Sequence, residues 1–186
     1  ALRLATARPG PAQSAATNLH LGLCDLLCEF NDLSGAAAHL DEAEHMGIAA
    51  APPRTAYRQH NARARLAQSH GDLQAAVALL DEAERLYVRG AVPNVRPVGA
   101  WKARLKLGQG RVAEAVEWAR SERLAADDAL DYGREYHHLT LARVLIVRHR
   151  TDTAGNDANA ALGLLERLGA AARAGGRTGA VIETLM

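Results

Sequence analysis

The chain repeats itself at a fixed interval. Ala-Arg-Leu stands at 64–66 and again at 103–105, and Ala-Arg-Val at 142–144, each copy 39 residues after the one before. A second pair of segments is spaced by 40: NDLSGAAAHLDEAE (31–44) and GDLQAAVALLDEAE (71–84) share Asp-Leu, Ala36/Ala76, Leu40/Leu80 and an identical Asp-Glu-Ala-Glu. The third copy, GRVAEAVEWA (110–119), is weaker. The fourth, NDANAALGLLERL (156–168), aligns only when about four extra residues, Thr153 to Asn156, are allowed in its turn. A unit of this length cannot bury its own apolar face, so its neighbours must complete the core.

Each unit reads as helix, tight turn, helix. Asn31 and Gly71 tolerate the left-handed conformation that ends a helix, and Asp32 and Asp72 after them can cap the next one. Leu73, Ala76, Leu80 and Ala83 recur at three- and four-residue intervals, a narrow apolar stripe with small residues where helices approach closely. Pro52-Pro53 and Pro93 are placed to start first helices, where a missing N–H costs nothing. Strand alternation is absent. Only Val144 to Val147 is β-branched enough to be ambiguous, and its neighbours Leu139, Leu141 and Ala142 favour helix.

The expected fold is therefore all-α: a right-handed superhelical solenoid of about four tetratricopeptide-like hairpins, period about 39–40, forming a single domain over 1–186. The hairpins are expected at 15–47 (helices 15–30 and 33–47), 54–89 (54–69 and 73–89), 95–123 (95–108 and 112–123) and 134–173 (134–149 and 157–173). Partial helices are expected at 1–9 and 177–186, so that the chain reads as a fragment of a longer protein with partnerless ends that favour self-association.

A formal net charge of +1 over 186 residues gives no excess of either sign to hold nucleic acid or an anionic membrane. No apolar run approaches the length of a membrane helix and no leader pattern opens the chain, so a soluble, cytoplasmic protein is expected. Cys24 and Cys28, four apart on one helical face, are poorly aimed for a disulfide and fit a reducing compartment.

Three segments carry a resemblance to a known family: LHLGLCDLLCEFNDLSGAAAHL (19–40), DDALDYGREYHHLTLARVLI (127–146) and GRTGAVIETLM (176–186). They resemble the tetratricopeptide-like sensor region of the large ATP-dependent, MalT-like LuxR-type transcriptional regulators. That resemblance implies an N-terminal nucleotide-binding module, a superhelical sensor and a C-terminal helix-turn-helix that binds promoters. No phosphate-cradling G-x-x-x-x-G-K-[ST] loop and no compact basic helix-turn-helix occurs in this sequence. No cofactor is therefore expected here, with ATP and DNA left to the other modules. The expected partners are a small-molecule inducer or a regulatory protein, and the competing role is a scaffold that binds only protein.

In such solenoids the first helices line the concave face, so a residue recurring at one repeat position forms a ladder. Arg65, Arg104 and Arg143 are such a ladder; Asn61, Trp101 and Thr140 lie one turn back, and Arg58 and Tyr136 two turns back. These eight residues are the candidate ligand-binding set, suited to an anionic or sugar-like effector or an acidic peptide. The competing reading pairs each arginine with a nearby carboxylate such as Asp81, Glu84 or Glu114, and Asp25 at the corresponding first-helix position ends the cationic run.

His137-His138 beside Tyr132, Arg134, Glu135 and Tyr136 is the densest polar cluster, but adjacent histidines diverge by about 100° on a helix and cannot share one metal unaided. His20, Cys24 and Cys28 share a face but sit among leucines, which favours core thiols over a zinc site. Trp118 reads as packing. No nucleophile-elbow pattern occurs, and the acidic pairs Asp41-Glu42 and Asp81-Glu82 repeat with the architecture, so neither a metal nor an enzymatic role is expected.

Overall fold

A computed structural model describes residues 11–46, 53–87, 94, 96–152 and 155–186. Among them every regular element is helical: α1 Pro11–Glu29, α2 Leu33–His45, α3 Pro53–Ser69, α4 Leu73–Leu86, α5 Val98–Gly108, α6 Val112–Ser121, α7 Glu135–Thr151, α8 Asp157–Ala174 and α9 Thr178–Leu185, with a short 3₁₀ turn at Tyr132–Arg134 before α7. The chain divides into two compact units, 1–90 and 91–186.

The hairpins form through one turn used again and again. After α1, α3, α5 and α8 a residue with positive φ closes the helix: Asn31 at 59°, Gly71 at 81°, Gly110 at 74° and Gly176 at 66°. In each turn the next residue's N–H reaches back five positions, as in Asp72 to Ala67 O and Arg177 to Ala172 O, both 2.9 Å, which satisfies a carbonyl the helix end leaves open. Asp32 and Asp72 then cap α2 and α4, accepting from Gly35 N and Ala75 N at 2.9 Å. Arg111 and Arg177 stand in those cap positions before α6 and α9 and form no side-chain cap bond. The weakness of the third repeat in the sequence has this local cause.

In the first unit α1 packs on α2, α3 on α4, and α3 also lies against α1 and α2. Leu21, Cys24, Ala36, Leu40, Ala43, Ala62 and Leu66 form its buried core, while Ala76, Leu80 and Ala83 bury one face of α4. In the second unit α5 pairs with α6 and α7 with α8; α7 also touches α5 and α6, and α9 lies on α8. Ala119, Leu139, Leu141, Ala142, Leu145, Ala161, Leu164 and Leu168 form its larger cluster. α3 and α7 thus each contact both members of the preceding hairpin within their unit, a pairing order compatible with tetratricopeptide-like repeats.

Ala64, Ala103 and Ala142, spaced by the repeat, are at most 1% exposed, and Cys24 fills the corresponding position of α1 with no exposure. A small side chain at this point lets helices approach closely. Gly169 does the same for α8 and α9, since a Cβ there would stand 3.2 Å from Thr184 Oγ1.

Some boundaries differ from the expected ones. The helix expected at 95–108 begins at Val98, because Pro97 is extended (φ −67°, ψ 140°) and its ring disfavours helix in the residue before it. The helix expected at 73–89 stops at Leu86, where Tyr87 turns extended (ψ 121°). The helix expected from 134 starts at Glu135, preceded by the 3₁₀ turn. The ambiguous Val144–Val147 stretch is helical. The expected partial helix at 1–9 and Pro93 lie outside the described residues.

Overpacking the recurrent alanine is expected to be costly. Ala142→Leu should lower stability by about 1–3 kcal/mol, whereas Ala113→Leu, on the exposed side of α6, should stay within about 0.5 kcal/mol. Urea unfolding midpoints of the two variants check this.

Candidate functional site

The second unit assembles a polar cluster from three helices. Arg104 comes from α5, Tyr136, Thr140 and Arg143 from α7, and Glu183 from α9. The close approach of α5 to α7, on which Ala103 and Ala142 lie buried, brings Arg104 against the first turns of α7.

Thr140 is fully buried, and its hydroxyl is used twice. It donates to Tyr136 O at 2.7 Å and accepts from Arg104 Nε at 2.7 Å. Arg104 lies over the Tyr136 ring, 3.8 Å from its centroid, and one terminal nitrogen also reaches Tyr136 O at 3.5 Å. Its other terminal nitrogen donates to Glu183 Oε1 at 2.5 Å. Arg143 Nη2 meets the same oxygen at 3.3 Å, so two guanidinium groups share one carboxylate. Arg104 is the enclosed member, with 17% of its side chain exposed against 44% for Arg143. Burial pulls the Arg104 guanidinium's pKa down, with Tyr136 and Glu183 opposing that. Burial likewise pushes the Tyr136 phenol up, with Arg104 opposing. Arginine stays charged under these conditions, so the cluster is an enclosed, pre-oriented cation with one anion and a second cation at its rim.

Four of the eight sequence-predicted residues therefore meet here: Arg104, Tyr136, Thr140 and Arg143. Trp101 is half-buried on α5, one turn before Arg104. Arg58, Asn61 and Arg65 belong to the first unit. There Arg58 donates to Asn18 Oδ1 at 2.9 Å and lies 4.0 Å from Asp25, and Arg65 donates to Glu29 at 2.7 Å. Asn61 keeps a buried Oδ1 without a hydrogen-bond partner among the described residues.

Glu183 was not among the expected partners. Glu114, one of the carboxylates expected to engage the ladder, instead pairs with Arg111 and Lys106. The sequence did hold a signal for Glu183, which lies 40 residues after Arg143, the repeat interval counted once more.

The other polar clusters serve packing. His137 and His138 both point inward. His137 stacks on Trp118 with ring centroids 6.2 Å apart and its pKa is drawn down by burial. His138, 1% exposed, faces Arg134 O at 3.1 Å through Nδ1 and Asp128 Oδ2 at 3.3 Å through Nε2. Asp128 also accepts from Ala125 N, and Arg167 donates to the Ala126 and Asp128 carbonyls, which fastens the 122–134 connection to α7 and α8. His20 Nδ1 lies 2.9 Å from His39 Nδ1. Burial, then Cys28 and Asp25, pushes the Cys24 thiol up to about 12, so this sulfur is a neutral core atom. Among the described residues no three His, Cys, Asp or Glu side chains are grouped to hold a metal ion, and no helix is long and apolar enough to cross a membrane.

The model of the MalT-like TPR region matches residues 1–186. The chain belongs to this family. No curated protein and no solved structure matches it. Among the described residues of the second unit, Arg104 is the least exposed arginine of an ion pair, at 17%.

The connection before α7 gives the stability a pH dependence. The Ala125 N–H, and then His138, hold the Asp128 carboxyl below the usual aspartate range. A carboxylate with a depressed folded pKa stabilises the fold above its ordinary value of about 3.9 and loses that contribution as the pH falls through the lower folded value. Asp128→Asn should therefore flatten the acid limb of the stability curve below about pH 4, by no more than about 1 kcal/mol since the side chain is 31% exposed. Thermal melting of both proteins at a series of acid pH values measures the difference.

Proposed function

We propose that this chain is the effector-sensing segment of a MalT-like, LuxR-type transcriptional regulator, acting by binding and conformational coupling. In this reading it is not an enzyme and needs no cofactor of its own. It works in the cytoplasm, and ATP and promoter DNA are handled by other modules. The family supports the role in general terms. The single observation that carries the effector site is Arg104, an enclosed guanidinium held by Thr140 and Tyr136 with a carboxylate on its free edge. A buried cation positioned in advance binds an anionic group without a fresh ordering cost. Such a ligand shifts the state of distant modules by its differential affinity for two arrangements of the helices.

A second reading, a surface that docks protein, is favoured by one observation. Leu19, Leu23 and Leu26 on α1 and Phe30 just after it are 69%, 42%, 50% and 74% exposed. At helical spacing they make a continuous apolar stripe of the kind that marks protein contacts.

A thermal-shift screen of small anions and phosphorylated or acidic sugars decides between these readings. A ligand at a hundred times its dissociation constant stabilises the folded state by about 2.7 kcal/mol. That stabilisation is expected to disappear in Arg104→Gln and to persist in Leu23→Ser. No shift with any small anion, together with capture of a protein partner that Leu23→Ser abolishes, would favour the docking role.

A further inference from the structure

We propose that Arg104 and Arg143 form a site for a carboxylate-bearing ligand, that Glu183 occupies this site as a built-in competitor, and that a ligand displacing it releases α9. The inference rests on the effector-binding reading above and deepens it by naming the ligand's chemical group and its mechanical consequence.

The position of the incoming group is already defined by a carboxylate. Arg104 and Arg143 converge on the single oxygen Oε1 of Glu183, at 2.5 and 3.3 Å. Arg104 keeps that aim whether or not Glu183 is present, because Nε is held by the buried Thr140 hydroxyl and the guanidinium plane lies on Tyr136. Two cations against one anion leave the cluster electropositive, so a ligand carboxylate entering in place of Glu183 restores both pairings. A charge-assisted bond of this kind is among the stronger contacts a protein offers.

The helix carrying Glu183 packs along α8. α9 contains no buried residue, and Ile182 and Leu185 are 52% and 77% exposed. Besides that packing, the Glu183 pairs and the Arg177–Glu135 bridge at 2.8 Å, just before the helix, position it. Losing Glu183's partners removes the ionic attachment of α9 to α5 and α7. Because Glu183 and the ligand need the same nitrogen atoms, the ligand binds only the arrangement in which Glu183 has left. Differential affinity for two states, which any sensor requires, then follows from simple exclusion.

Propionate is the probe, since it carries the end of a glutamate side chain. Arginine side-chain NMR shifts follow its titration into the wild type, Glu183→Ala, and the double variant Arg104→Gln/Glu183→Ala, with inorganic phosphate as the comparison anion and Glu183→Gln as a volume-preserving control on folding. Glu183→Ala is expected to bind propionate at least about tenfold more tightly than the wild type, and the double variant to show no saturable response. In the wild type, saturating propionate is expected to speed amide exchange across 178–185 while 157–174 keeps its protection. Equal affinity in wild type and Glu183→Ala, or unchanged exchange in α9 at saturation, overturns the competitor while leaving an anion site at Arg104. A Glu183→Ala titration indistinguishable from that of the double variant overturns the site itself and the effector reading with it. A Glu183→Ala protein that takes phosphate in preference to propionate overturns the assignment of ligand class.

Discussion

The structure depends on one steric allowance, a small side chain at the middle of every first helix. Cys24, Ala64, Ala103 and Ala142 stand at the repeat interval, and each is buried to within 1% of completely. A larger residue there would hold neighbouring helices apart and withdraw the leucines around it from contact. The arginine that follows each alanine is one step further round its helix. It therefore emerges at the edge of the packed face, where its stem is covered and its head finds a carboxylate. The charged cluster of the second unit is a by-product of the same close packing that makes the core.

Much of this was readable in the sequence, because periodicity reports directly on burial. The tripeptides at 64–66, 103–105 and 142–144 located the buried alanines, and Asn31 and Gly71 marked turns whose dihedrals demand those residue types. The boundary at Val98 was less legible, since it turns on Pro97 rather than on the apolar pattern. The turn at Gly176 falls in the break expected between 173 and 177, although Arg177 replaces the aspartate that flags the earlier caps.

The candidate site was half legible. Repeat arithmetic found Arg104, Tyr136, Thr140 and Arg143. It did not reveal that Thr140 bridges Tyr136 to Arg104, because a threonine in a helix more often satisfies only its own backbone. Glu183 was missed for a related reason. Its role depends on side chains 40 and 79 residues away, and an isolated glutamate in an apolar run carries no local mark of such a partner. The sequence likewise carried no mark that His137 and His138, which diverge on their helix, are both enclosed. The 122–134 connection folds back over the start of α7 and encloses both.

The cysteine that takes alanine's place in α1 gives the first unit a chemical clock. Cys24 is sealed and its sulfur carries a proton at any ordinary pH, while Cys28, one turn on, is only half-covered. An alkylating reagent reaches the second from the folded state but must wait for α1 to lift from α2 and α3 before it meets the first. The ratio of the two modification rates thus measures how often that hairpin opens, without any label being introduced.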